Sequence, residues 1–511
     1  MKKGPPEQPA LSKKEALDLV TQLYSINSDD IESIEVKQAH YEKEPRLEIH
    51  VSLYSSLSEC PNCQNSQVQK HGKMKTRIKH NIHHSKNVDI ILYRQRFRCP
   101  ECGKTFMEKN PFSHPNRRIS YELVFNVLED LKELSSTFSA TARRFNLSSQ
   151  EVMDIFDAHV RISRHTLPRC LLIDENYAIH LNDSDYILVL YSFDDGEIVD
   201  VLPDRKKRYV ENYFLSIPLA ERSLVEYVGI DMSGNFKSMV HEALPNATIC
   251  VDHYHVIQEL GRRLEEMKKR EISPLRSRLS QVRKSIRDIE NLPDSSSLIH
   301  QEDLKTLRSE KYDLEKKIAL LKNFLWMVYK DSDNRMFDPS RKGKYNRKLG
   351  ATYNYSQIRT MLLSAAPSLE YAIQFRRELN WIYEMTDRTE ASEPFDELIR
   401  KMEEKGVPRE MHYMARTLKN WKTYILNSLE VHDVFYSRNE DGDDRVQYRR
   451  LTNGPIESVN SRIKTIKKNA NGFRNFPRMR NRIMYSLNKS DTYHADPIAE
   501  KLYRKKKDKS E

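Results

Sequence analysis

Hydrophobic and polar positions change their spacing several times along this chain, and each change marks a different kind of element. Near the start, Arg46-Leu47-Glu48-Ile49-His50-Val51 alternates with period two, the pattern of a half-buried strand. An amphipathic helix is expected before it, near Lys13 to Leu23. Residues Ser120 to His159 then carry helical periodicity. Within them, Ser136 to Val152 resembles a helix-turn-helix: a small Ala packs inside the first helix, Asn146-Leu147 turns, and Ser148 caps the second. An ordinary three-helix block would show the same pattern.

From Leu171 the runs shorten. Leu171-Leu172-Ile173, Tyr186 to Tyr191, Ile198 to Leu202, Val225 to Ile230 and Thr248 to Val251 are short, apolar and rich in β-branched residues. Turn signals such as Asp194-Asp195-Gly196 separate the first three and predict an antiparallel meander. Helices near Tyr209 to Ser216 and Lys237 to Ala243 precede the fourth and fifth. That order of strands and helices is the one an RNase H-like core with a mixed sheet would give. After His255 the pattern turns helical. Leu275, Leu279, Val282, Ile286 and Ile289 repeat at 4-3-4-3 spacing. Beyond a polar turn at Asn291 to Ser297, Leu304, Leu307, Leu314, Ile318, Leu321 and Leu325 resume it, with Lys311 in an otherwise apolar slot. The pair predicts an antiparallel coiled-coil hairpin. Further helices are expected over Tyr371 to Met385 and Phe395 to Leu429, then a polar loop at Asn439 to Asp444.

At 511 residues the chain exceeds what one core organises, so an α/β multidomain protein is expected. The divisions read as a preface (1–58), a cysteine-bearing unit (59–110), a helix-turn-helix block (115–165), a strand-rich core (168–256), an all-α insertion (257–450), a return to the core (451–490) and a basic tail (491–511). Hydrophobic residues are only 38% and charged residues 31%, a balance that suits long solvated helices. The net charge of +11 favours a polyanionic partner. Its distribution sharpens this: Ser458 to Ser490 holds nine Lys and Arg and no acid. No run of about 18 apolar residues is present, so no membrane span is expected. The polar N-terminus does not read as a secretory signal, which points to the cytoplasm.

Four of the six cysteines form two close pairs, Cys60-x-x-Cys63 and Cys99-x-x-Cys102. Each spacing lets two thiolates chelate one tetrahedral ion from a single knuckle, and four thiolates leave no open position. The expected ion is a structural Zn²⁺. Pro61, Pro100 and Gly103 fit such turns, and Phe97 and Phe106 flank the second. Eleven Lys and Arg against three acids lie between Cys60 and Asn110, which suits phosphate contact or a solvated surface.

Asp174 follows the first apolar run and Asp231 the fourth. An Asp at a buried strand end is well placed to hold a divalent cation, and two-metal phosphoryl transfer needs such oxygen ligands, for Mg²⁺ or Mn²⁺. Singly, either is as readily a turn or cap residue. Asn453-Gly454-Pro455 reads as a helix start with Asn453 as cap. Ile456, Val459, Ile463 and Ile466 then make one apolar stripe, and Glu457, Asn460, Ser461 and Lys464 occupy another face. Glu457 is the expected third metal ligand, beside a DNA-facing surface. Asp252-His253-Tyr254-His255 lies just past the fifth strand, where Asp252 and His255 could pair as catalytic residues that brace the site or contact a scissile phosphate, or as a simple cap with an adjoining His.

Together these segments resemble bacterial insertion-sequence transposases of the DDE type, the group with an N-terminal four-cysteine finger (the ISL-three group). The resemblance runs from Cys60 to about Met484. It rests on the finger, Ile173-Asp174-Glu175, Asp231-Met232-Ser233, Val251 to Val256, Asn453 to Lys464, and Ala470 to Phe476. It implies an acidic triad of Asp174, Asp231 and Glu457 in a core interrupted by the helical insertion. Asp252 and His255 would belong to a shared signature, and Asp231 is favoured over Asp252 as second ligand. It implies cleavage at element ends and strand transfer, with terminal inverted repeats and target DNA as double-stranded partners. A homo-oligomer on DNA in a bacterial nucleoid would follow. Ser149 and Gln150 would read sequence, and Asn460, Lys464, Lys467, Lys468 and Arg474 would hold the backbone. The competing readings are a domesticated, non-cutting derivative and a zinc-finger/helix-turn-helix regulator, which leaves most of the chain unexplained.

Overall fold

The computed structural model describes residues 31–498 apart from 42–43, 56, 84–85, 178–184, 293–296, 431 and 439–443, together with Asp18 and Gln22. The helix expected near Lys13 to Leu23 otherwise lies outside the described residues.

Strands β1 (Ile31–Tyr41), β2 (Glu44–Leu53), β3 (Gln69–His83), β4 (Lys86–Arg98) and β5 (Thr105–Met107) form one sheet, ordered β1-β2-β4-β3 with β5 against β4. β2 runs parallel to β4, with Leu47 beside Val88 and Val51 beside Leu92. The preface and the cysteine unit, separated in the sequence reading, therefore share a sheet. Its core is Leu47, Ile49 and Val51 against Ile78, Val88, Ile90 and Leu92. β3 interleaves Lys70, Lys73, Lys75, Arg77 and Lys79 with few apolar residues, so its period-two signal is faint.

Helices α1 (Tyr121–Asp130), α2 (Phe138–Arg144) and α3 (Ser149–His159) follow. Ser120, Thr137 and Ser148 each accept a backbone N–H at the helix start, and Ser148 forms a capping box with Glu151. Asn146 turns the chain in the left-handed region (φ 51°), and Ala142 and Leu147 are buried.

The second sheet holds β6 (Cys170–Tyr177), β7 (Tyr186–Ser192), β8 (Ile198–Leu202), β9 (Tyr227–Ile230) and β10 (Thr248–Val251), in the order β10-β9-β6-β7-β8. The first three pair antiparallel as a meander, while β9 runs parallel to both β6 and β10. Helices α4 (Lys207–Leu215) and the short α5 (Leu219–Arg222) precede β9, and α6 (Gly234–Ala243) precedes β10. Alternation along β6 splits its side chains between two cores. Leu171 and Ile173 pack with Val210, Phe214, Phe236 and Val240 of α4 and α6. Cys170 and Leu172 pack on the other face, with α1, α3 and the last two helices among the described residues.

Between β10 and those last helices the chain is mainly helical. α7 (His253–Glu290) and α8 (Leu298–Phe324) form the expected hairpin, with Leu279, Val282 and Ile286 against Leu304, Leu314 and Ile318. Ion pairs Arg278–Glu310 and Arg283–Glu315 flank the seam. A small hairpin of β11 (Lys344–Asn346) and β12 (Ala351–Tyr353) precedes α9 (Tyr355–Ala365), α10 (Leu369–Glu384), α11 (Arg388–Met402) and α12 (Arg409–Glu430). The single run expected from Phe395 to Leu429 is thus two helices. Gly406 adopts φ +98° and Pro408 lacks an amide hydrogen, which together break it. A second hairpin, β13 (His432–Arg438) and β14 (Asp444–Arg450), leads to α13 (Gly454–Asn469) and α14 (Phe476–Leu487). Among the described residues no helix is long and apolar enough to cross a membrane.

Candidate active site and four-thiol cluster

Register and parity bring three aspartates into one row. Leu172 of β6 and Cys250 of β10 both lie beside Gly229 of the strand between them. Two residues further along each parallel strand come Asp174, Asp231 and Asp252. This register sets the three residues in one row across adjacent strands, which lie about 4.8 Å apart, at the C-terminal edge where open α/β sheets collect ligands. All three share the parity of Cys170, Gly229 and Cys250, so they face α13. One detail differs from the sequence reading. Asp174 does not end its strand: β6 runs on to Tyr177 against β7, and its parallel pairing with β9 stops at Leu172, two residues before Asp174.

α13 lies across this row because the sheet leaves room for it. A methyl at Gly229 would meet Leu172 Cδ2 at 2.5 Å and Asn453 Oδ1 at 3.2 Å. Pro455 occupies the first turn, and Ile456, Val459, Ile463 and Ile466 bury the apolar stripe. Asn453 sits at the N-cap but makes no capping bond. Its Nδ2 instead donates to His255 Nε2 at 2.8 Å, and Gly454 N–H finds Thr452 Oγ1 at 3.2 Å. His255 therefore meets Asn453 rather than the expected Asp252. Asp252 accepts a long bond from Thr452 Oγ1 (3.4 Å) and caps nothing at the start of α7.

Asn460 is buried, and its Nδ2 donates to Asp174 Oδ2 at 2.7 Å. Burial is the largest influence on all three proposed ligands and pushes their carboxyls above the usual range. Asp174 and Glu175 add to the effect at Asp231, and Asp252 and Asp174 add to it at Glu457. The nearby His255 opposes it at Asp174, Asp231 and Glu457 alike. Asp231 Oδ1 is buried without a hydrogen-bond partner. A buried, orphaned carboxylate oxygen in a cluster of acids is a donor set suited to a hard divalent cation. The carboxylates are not drawn tightly together, however. Among the described residues, only the cysteine quartet brings three or more such ligand atoms within 4.8 Å of one another.

In that quartet Cys60 Sγ lies 3.7 Å from Cys102 Sγ, and Cys63 Sγ lies 3.5 Å from Cys99 Sγ. Tetrahedral zinc with Zn–S near 2.3 Å separates its sulfurs by about 3.8 Å, so the four thiols fit that ion. Gln64 N–H donates to the Cys60 carbonyl and Gly103 N–H to the Cys99 carbonyl, closing the two knuckles. Phe97 and Phe106 stack beside the second at 5.8 Å.

The expected DNA-contacting residues divide. Lys464, Lys468 and Arg474 are exposed. Asn460 points inward, as above. Lys467 is half-buried, and its ammonium donates to Asn176 Oδ1 and to the Tyr177 carbonyl. Burial, with Lys464 nearby, draws it down to about 8. On α3, Ser149 donates to Ser139 and Gln150 to Asp154, while Asp157 holds Arg478 of α14. The outer face of that helix is thus acidic as well as polar. Asn176, Asn453 and Gly229 were missed as site residues. Asn176 follows Asp174 by two positions, so strand alternation alone would have placed it on the same face.

The family model described as "Transposase", of the ISL3 DDE type, matches residues 171–442 and 443–483. The chain belongs to this family. A second model, described as the zinc-finger of transposase IS204/IS1001/IS1096/IS1165, matches residues 56–102, the segment that carries the thiol cluster. The transposase for insertion sequence element IS1001 of Bordetella parapertussis is 23% identical over 233 residues, covering 44% of this chain and 56% of that relative. The chain thus matches just over half the length of this curated relative.

Proposed function

We propose that the chain cuts DNA at the ends of an insertion element and joins them to target DNA, with the β6–β10 sheet and α13 as an RNase H-like core. The observation that carries this reading is Asp174, held by Asn460 of the Glu457-bearing helix, on the strand next to the one that leads to Asp231, whose buried oxygen lacks a hydrogen-bond partner. A pair of divalent cations held there, Mg²⁺ or Mn²⁺, would activate water and then the freed 3′-hydroxyl, and stabilise the leaving oxygen. The chain's own residues supply the setting. Asp231, central in the row with one oxygen unengaged, is the second ligand in preference to Asp252, which is tied to Thr452. Asn453 and Asn460 hold His255 and Asp174 by neutral amides, adding no charge to a crowded anionic site. The segment between β10 and α13 is an insertion in this core. The thiol cluster holds a structural Zn²⁺, and α2–α3 and the basic sheet grip the terminal repeats. Lys464 and Lys468 follow Glu457 on α13 by about two and three turns, and with the exposed Arg474 they contact phosphates, which positions DNA without reading it. The active assembly is a homo-oligomer on double-stranded DNA in the bacterial cytoplasm.

The test is nicking of a labelled duplex carrying the element's own flanking ends. Asp231→Asn should bind that duplex normally and cut at least about a thousandfold more slowly, whereas Asp252→Asn should retain partial activity in Mn²⁺. A fully active Asp231→Asn beside a dead Asp252→Asn would reassign the ligand. A wild-type protein that binds ends in Mg²⁺ or Mn²⁺ but never cuts would mark a domesticated derivative.

A further inference from the structure

Asp174 has both carboxylate oxygens spoken for from within the protein. Oδ1 accepts the Glu175 N–H at 2.8 Å, and Oδ2 accepts Asn460 Nδ2 at 2.7 Å. Two donors on opposite oxygens fix the plane of the group and leave each oxygen a remaining lone pair in a set direction. Asn460 is itself oriented. Asn176 Nδ2 donates both to its side-chain oxygen, at 2.8 Å, and to its backbone carbonyl, at 3.0 Å. With its oxygen claimed, the amide nitrogen of Asn460 must be the end that meets Asp174. Asn176 is oriented in turn, because Lys467 Nζ donates to its oxygen and to the Tyr177 carbonyl. Asn176 and Asn460 are both buried, at 1% and 5% exposure, so water does not compete for these bonds.

We propose that Lys467, Asn176 and Asn460 form a positioning chain that aims the Asp174 carboxylate at a divalent cation and ties α13, with its Glu457, to β6. This rests on the reading of Asp174 as a metal ligand. Every donor in the chain points the same way, from an ammonium through two amides to a carboxylate, so each bond polarises the next. Partners that orient metal-ligating groups typically shift metal affinity by about 10–100-fold. Lys467 on this reading is no phosphate contact: its charge is directed inward, one step beyond the neutral relay. A simple inter-element brace would also hold α13 to β6, but would leave metal affinity untouched once the fold is intact.

The experiment measures Mn²⁺ binding to the full-length protein by loss of the free-ion electron paramagnetic resonance signal, with melting temperature alongside. Asn460→Leu keeps the volume and removes the amide. Lys467→Met keeps the stem and removes the charge, at a position peripheral enough to preserve the fold should Asn460→Leu fail to fold. Lys467→Arg restores a cationic donor, and Asp174→Asn is the control. Asn460→Leu and Lys467→Met should weaken Mn²⁺ binding about 10-fold or more, with Lys467→Arg recovering most of it and Lys467→Met melting close to wild type. If Asp174→Asn loses Mn²⁺ while Lys467→Met binds it as wild type does, the positioning chain is overturned and the ligand reading stands. Mn²⁺ binding unchanged in Asp174→Asn would overturn both. Weaker DNA binding by Lys467→Met with unchanged Mn²⁺ affinity would return Lys467 to the phosphate backbone and also overturn the chain.

Discussion

The thiol cluster and the carboxylate site are both assembled from side chains that suit metals, yet they are built by opposite means. In the cluster, each knuckle aligns its own pair of ligands through one short turn, and all four sulfurs gather within 4.8 Å. The carboxylates come from inside one strand, from just past the ends of two others, and from a helix. Asp174 and its partner Asn460 meet across 286 positions of sequence. Their spacing is wider, and neutral side chains steady part of the site: Asn460 at Asp174, Thr452 at Asp252, and Asn453 at the neighbouring His255. A closed soft site needs little beyond its ligands. An open anionic site needs scaffolding to hold like charges near one another, so its fragility lies in residues that never touch the metal.

That contrast is sharpest if the two sites fail independently. In Cys99→Ser, zinc measured by atomic absorption should fall from about one per chain to well below half. Binding of element ends should weaken at least tenfold, while the Mn²⁺ affinity of the carboxylate site stays unchanged. Loss of Mn²⁺ binding in this variant would show that the sites are coupled through the fold, and the comparison would break.

The scaffolding claim is tested at Gly229, which contacts no ligand. Gly229→Ala places a methyl against Leu172 and Asn453, and overpacking of this kind costs about 1–3 kcal/mol. Chemical denaturation should show that loss, and nicking should slow by about tenfold as the start of α13 is displaced. Wild-type nicking at reduced stability would mean the helix start has slack.

The smallest effect tests electrostatics. Burial raises the Asp231 carboxyl in the folded state, so the folded protein holds this proton more tightly than the unfolded chain does. The ionised form is then penalised, and stability falls as pH rises from the unfolded value through the raised folded one. In EDTA at pH 7, Asp231→Asn should melt about 2 °C higher than wild type, and the gap should close near pH 3. Saturating Mg²⁺ should reverse the order. A lower melting temperature for the variant in EDTA at pH 7 would show that the carboxylate has a partner that offsets its burial.

The sequence announced the two kinds of site unequally. Both knuckles were legible from Cys-x-x-Cys spacing, and the strands that lead to Asp174, Asp231 and Asp252 from short apolar runs. The row they form was not, because register between β6, β9 and β10 is set by packing across the sheet rather than by any local signal. Asn460 and Lys467 read as surface residues because they share the polar face of α13 with Lys464. Only the covering strand reveals which part of that face is interior. Long β3 and β4 escaped because charge interrupts their alternation, and the break at Gly406 to Pro408 was passed over inside an otherwise helical run.

The last helix carries a consequence for how the molecule is made. Arg482, almost wholly buried, donates to the carbonyls of Glu133 and Ser136, and Tyr485 donates to that of Leu128, across 346 to 357 positions. Val127, Leu128, Val152 and Phe156 lie in the same apolar cluster as Ile483, Met484 and Tyr485. Chains emerge from the ribosome N-terminus first, and domains usually fold as they appear. Here α1 to α3 leave the ribosome well before α14, and their core closes only when residues 346 to 357 positions further along have emerged. A copy stopped before α14 would leave the inner face of α1 to α3 uncovered, because Arg482 and Tyr485 supply the partners of the Glu133, Ser136 and Leu128 carbonyls.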